Sequence, residues 1–157
     1  MATYELREKR AIKKSIYTYL ETQLNASFSG ISLVDNFKDA YATSKPVVCV
    51  QVKSTSHVGK EVGTTELWDS HLLIINIFAE RSPGQAADLA DFIIAQLKVG
   101  CPYYGYSKTS TTATWTATQD GRVNVREWIR DEAIDLGGEV SEMDQYRHII
   151  ACTIRKT

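Results

Sequence analysis

The sequence predicts an α+β fold: a two-layer sandwich in which a mainly antiparallel sheet carries two helices on one face, in the order helix, strand, strand, helix, strand, strand. Three observations predict it. Residues 5–25 and 83–97 repeat apolar side chains at three- and four-residue intervals, the mark of a helix with one buried stripe. Residues 47–53, 70–80 and 146–155 are dense in β-branched residues and alternate with the period of a strand. Strands that follow one another without a long crossover pair antiparallel, and amphipathic helices cover such a sheet. An extra β-hairpin over residues 103–125 precedes the last pair of strands.

Residues 5–25 form the first helix. Ile12, Ile16, Tyr19, Leu20 and Leu24 make its stripe. At about 100° per residue, Arg7, Arg10 and Lys14 fall on the opposite side. That basic face suits DNA or an acidic partner, and it suits a solvated helix surface better. Residues 27–45 read as a connector in which Gly30 breaks the helix and residues 31–37 form a short strand or extended piece. Lys45-Pro46 biases the chain to an extended entry into the strand VVCVQVK, residues 47–53. Residues 54–69, STSHVGKEVGTTELWD, are polar and carry Gly59 and Gly63, so they form a long loop or a β-ribbon reaching beyond the sheet. Trp68 near its end is a hinge anchor on the core or an exposed contact residue.

In the strand at 70–80, Leu73, Ile75 and Ile77 share one face, and Leu72, Ile74, Asn76 and Phe78 the other. Ser82 as cap, Pro83 at the first helical position and Gln85 in a capping box start the second helix. Its stripe is Ala86, Leu89, Ala90, Phe92, Ile93 and Leu97, and Gly100 and Pro102 end it. Residues 101–119 set Tyr103, Tyr104, Tyr106 and Trp115 among serines and threonines, a composition suited to protein contacts, to stacking on bases, or to an edge ribbon covering the core. Asp120-Gly121 reads as a hairpin turn with residues 122–125 as the returning arm. Residues 128–136 form another strand or a helical turn, 137–144 an acidic turn, and 146–155 the last strand, with Tyr146, His148, Ile150, Cys152 and Ile154 on one face.

The 157 residues suit a single domain over 1–157, able to bury about two thirds of its unfolded surface. With 43% hydrophobic residues and a net charge of -1, the whole molecule is no electrostatic match for nucleic acid or an anionic membrane. Cys49, Cys101 and Cys152 form no CxxC pair or zinc-like spacing, and a reducing compartment is the simplest setting. The charged start MATYELREKR is unlike a signal peptide, and no apolar run is long enough to span a membrane. No GxSxG, HExxH, Walker A or GxGxxG sequence occurs. His71 and His148 beside Asp69 are the strongest acid–base candidates, and hydrogen-bonded structural histidines explain them better. Neither catalysis, nor a metal, nor a cofactor is expected.

The layout resembles the tail-terminator (tail-completion) proteins of long-tailed bacteriophages. The likeness rests on the N-terminal amphipathic helix, the Pro-initiated strand PVVCVQV, the polar excursion, the strand-and-helix stretch HLLIINIFAERSPGQAADLADFIIAQL, and the closing YRHIIACTIRKT. The Thr-rich aromatic hairpin departs from the compact family plan. The resemblance implies a structural virion protein that assembles in the host bacterial cytoplasm as a ring, usually a hexamer. Such a ring sits on the head-proximal end of the tail tube, stops tube polymerisation and meets the head connector, and genomic DNA passes through its lumen without sequence-specific binding. Under this reading His57, Val58, Lys60, Glu61, Trp68, Tyr103, Tyr104, Tyr106 and Trp115 are candidate contacts to neighbouring subunits or the tube. A neck, head-closure or other tail-associated protein and a small nucleic-acid-binding α+β protein are the alternatives.

Overall fold

A computed structural model describes residues 4–44, 46–60, 67–79, 83–134 and 146–157; the side chains of residues 57–60, 67–68 and 83 lie outside that description. In chain order the elements are β1 (Tyr4–Glu5), α1 (Glu8–Ser27), β2 (Ser32–Val34), α2 (Phe37–Ala42), β3 (Val47–Lys60), β4 (Leu67–Phe78), α3 (Pro83–Val99), β5 (Cys101–Lys108), β6 (Thr116–Ile134) and β7 (Arg147–Lys156). The strands form one seven-stranded sheet in the order β1-β5-β6-β7-β4-β3-β2. Its ladders are antiparallel except β2–β3, which is parallel.

The expected two-layer sandwich with two helices on one face is overturned. Among the described residues the molecule is mostly β, a curled mixed sheet with three helices. The curl has a local cause. β6 pairs with β5 from Thr116 to Val123 and with β7 from Val123 to Ile134, so only Val123 belongs to both ladders. Register shifts at Val125/Glu127 and Trp128/Arg130 add further twist to a strand already long enough to coil. The sheet therefore wraps around α1 instead of lying flat beneath it. The Tyr104 N–H on β5 donates to Ser15 Oγ at 3.0 Å, and Tyr17 Oη donates to the Leu33 carbonyl on β2 at 2.6 Å. Two residues of one helix thus hold strands from nearly opposite ends of the sheet.

The main core lies inside the curl. Ile12, Ile16, Leu20 and Leu24 of α1 meet Val48, Val50, Leu73, Ile75, Ile77, Ile150, Cys152 and Ile154 from the sheet and Leu89, Ile93 and Leu97 from α3. Burial of each Ile or Leu contributes about 1.5–3 kcal/mol. On the other sheet face Val47, Cys49 and Phe78 pack against Ala40 and Phe37 of α2. α2 lies within the stretch expected to be a connector, and Asn36 followed by Asp39 is its start signal: the Asn36 side chain accepts the Asp39 N–H at 2.8 Å.

The hairpin over 103–125 exists, but its turn does not sit at Asp120-Gly121. β5 and β6 are joined through residues 109–115, and β6 continues past Gly121, with Asp120 and Gly121 in a register shift between the pairs at Gln119 and Arg122. Gly121 has φ +97, and a Cβ there would lie 2.3 Å from the Thr157 carbonyl oxygen. The glycine admits the end of the chain, where Arg122 and Thr157 exchange backbone hydrogen bonds at 3.1 and 2.8 Å. Gly30, at φ +74, has nothing within 4 Å of such a Cβ. Gly121→Ala should therefore destabilise the protein by more than Gly30→Ala, whose cost is the left-handed backbone alone, about 1–2 kcal/mol. Urea denaturation of the two variants measures the difference, and equal costs would show that Thr157 moves aside freely.

Candidate functional site

The curl does not close, and the polar side of α1 shows through the opening. Lys13 follows the buried Ile12 and precedes the exposed Lys14, so the helix turns a basic edge outward there. A groove of 350 Å³ runs along this edge, lined by Leu6, Arg10, Lys13, Lys14, Tyr17, Asp35 and Trp115. Lys13 Nζ bonds Asp35 Oδ2 at 2.9 Å. The Lys13 and Asn36 hydrogen bonds hold the Asp35 carboxyl below its usual range, and burial only partly opposes them. Lys14 Nζ lies 5.0 Å from the Tyr106 ring centroid, and Lys108 Nζ lies 4.4 Å from that of Trp115. Three cations of α1 thus face one acid, with an aromatic wall beside them. The arrangement suits an extended anionic segment or an acidic protein surface, and it contains no nucleophile with an adjacent base.

The structure brings together two sets that the sequence kept apart: Arg10 and Lys14 from the basic face and Trp115 from the hairpin. Arg7 is exposed at the N-cap of α1, with no side-chain capping bond. Tyr103 and Tyr106 are 6% and 8% exposed, so their rings serve the core of the protomer, and Tyr104 is half-buried. Residues 54–60 and 67–69 form a β-ribbon, not a loop. His57 pairs with Asp69 and Lys60 with Leu67, beyond the last β4–β7 pair at His71 and Ile154. The side chains of His57, Val58, Lys60 and Trp68, the whole of Glu61, Ser82 and the acidic turn at 137–144 lie outside the described residues.

The two strand histidines do not converge. His71 pairs with Ile154 and His148 with Ile77, placing them six residues apart along the ladder, about 20 Å by strand rise. His71 Nδ1 is 2.9 Å from Thr55 Oγ1, and His148 Nε2 is 2.7 Å from Asp131 Oδ1. What sequence reasoning missed is the set Glu8, Asp69 and His71, whose ligand-type atoms all lie within 4.8 Å of one another. Only the Asp-x-His spacing on one strand hinted at it. Lys9 and Lys13 were also missed; Lys9 Nζ donates to the Lys53 carbonyl at 3.1 Å, fastening α1 to β3.

The three cysteines are buried and free. Burial pushes the Cys49 and Cys101 thiols up to about 11 and Cys152 up to about 12. Thiolate is scarce there at neutral pH, which removes these groups as nucleophiles.

No known family model matches this chain, and no curated protein matches it.

At pH 7.5 an aromatic disulfide reagent should label none of the three cysteines on the timescale on which urea-unfolded protein reacts at all of them. Rapid labelling of the folded protein would contradict their burial.

Proposed function

We propose that this chain is a ring-forming tail terminator of a long-tailed phage. It caps the head-proximal end of the tail tube, ends its polymerisation and joins it to the head connector, while DNA passes through the lumen. The observation that carries the reading is a sheet with two unlike unpaired edges. A closed ring needs one surface to meet a different surface of the neighbour. Among the described residues, β3 beyond its pairing with β2, residues 50–60, has β4 on one side and no strand on the other. Among the same described residues, β6 over residues 126–134 has β7 on one side and no strand on the other.

The two edges differ in charge as well as in place. The β3 edge carries Lys53 and Lys60 and no acid, whereas the β6 edge carries Glu127, Asp131 and Glu132 against Arg126 and Arg130. The β6 edge also shows Trp128 at 37% and Ile129 at 51% exposure, an apolar pair of the kind that anchors interfaces. A net charge of -1 suits DNA that slides through without being held.

The basic groove with Trp115 favours a second reading, a nucleic-acid-binding protein. Native mass measurement and electron microscopy of the purified protein, alone and with tail tube, separate the two. The terminator reading expects rings, and Ile129→Glu should weaken them while the protomer stays folded, because the side chain is half outside the protomer. A protein that stays monomeric even on tail tubes ends that reading. Single-stranded DNA binding that weakens steeply with salt and is lost in Arg10→Glu/Lys14→Glu supports the second.

A further inference from the structure

We propose that Glu8, Asp69 and His71 bind one divalent transition-metal ion, fastening the start of α1 to the root of the β3–β4 ribbon. This inference does not depend on the tail reading. Asp69 and His71 are two apart on β4 and so point to the same face, the one that meets α1. Glu8 is the first residue of α1, and the ligand-type atoms of the three lie within 4.8 Å of one another. Metal–ligand bonds of about 2.0–2.2 Å place neighbouring donors about 3–4 Å apart, so a small closing movement completes the shell.

One further feature fits a metal. His71 is 1% exposed, and Thr55, its cross-strand partner, meets Nδ1 at 2.9 Å. Orientation of the ring by such a partner is common among metal-binding imidazoles. Two oxygens and one imidazole nitrogen suit zinc, manganese or cobalt better than magnesium or calcium, which prefer all-oxygen shells. Water would complete the coordination.

The test uses the full chain stripped with a chelator and then titrated with zinc sulfate by calorimetry and thermal denaturation, with cobalt as a spectroscopic probe. One equivalent should bind. At about a hundredfold above Kd, Tm should rise by about 5–10 °C. Glu8→Gln and Asp69→Asn should each weaken binding by about tenfold or more. A variant that folds as well without metal yet loses the zinc response identifies the site. Absence of stoichiometric binding, or binding and a Tm rise unchanged in both variants, overturns the proposal.

Discussion

The rest of the structure depends on how α1 is held by both ends of the strand order. Ser15, 2% exposed, gives its Oγ proton to the Ala11 carbonyl at 2.8 Å and accepts the Tyr104 N–H of β5. Two residues on, Tyr17 reaches β2. One helix cannot make both contacts over a flat sheet, where four strands separate β5 from β2. The curl in turn requires β6 to leave one partner and take another at Val123, so that β5 can swing over the helix. A buried serine that lost its partner would cost about 1–3 kcal/mol, which makes this contact specific as well as stabilising. The basic groove is the slit that remains where the curl stops short of closing.

Much of the local structure was legible in the sequence. The stripes of α1 and α3 and the alternation in β4 and β7 decide which side chains go inside, because burial of a periodic apolar face outweighs weaker local preferences. Pro83 starts α3 as its position suggested. What failed was longer in range. Asp120-Gly121 has the chemistry of a hairpin turn, but the ladders on either side carry β6 through it as an irregularity, and its glycine serves a close approach by residue 157. The parallel β2–β3 pair and α2 lie in a polar stretch whose apolar residues are too few to show a period. At the site, the residue types were legible and their meeting was not. Nothing in the spacing brings Trp115 to Arg10, or Glu8 to Asp69 and His71, until the sheet has curled.

The curl also changes what the aromatic residues mean. Tyrosines and tryptophans in a Thr-rich strand read as contact material, yet several are used within the protomer as platforms for cations. Lys14 sits over Tyr106, Lys108 over Trp115 and Lys156 over Tyr103. Arg147 lies 5.4 Å and 5.3 Å from the Phe37 and Phe78 ring centroids, and its guanidinium also donates to Oδ1 of the buried Asn76 at 3.1 and 2.6 Å. Each cation–ring contact contributes about 0.5–1 kcal/mol where water still reaches it. Together they hold long basic side chains against aromatic rings, and of these cations Lys14 also lines the groove.

The unpaired β6 edge raises a physical problem that its own irregularities resolve. A long free strand offers a row of backbone donors and acceptors to any passing strand, which invites uncontrolled association. Here the register slips twice within the free half, once between Val125 and Glu127 and once between Trp128 and Arg130. Each slip interrupts the regular spacing of the outward N–H and C=O groups and increases the local twist, so a neighbouring strand cannot extend the ladder along its length. The same slips bring the exposed Trp128 and Ile129 together with charged residues, among them Arg130, whose guanidinium is tied to Glu132. An edge built this way discourages backbone pairing and favours recognition by side chains. If copies of the chain meet there, the contact is an apolar anchor inside a ring of fixed charges, and its specificity lies in the neighbour's surface shape rather than in a continued sheet.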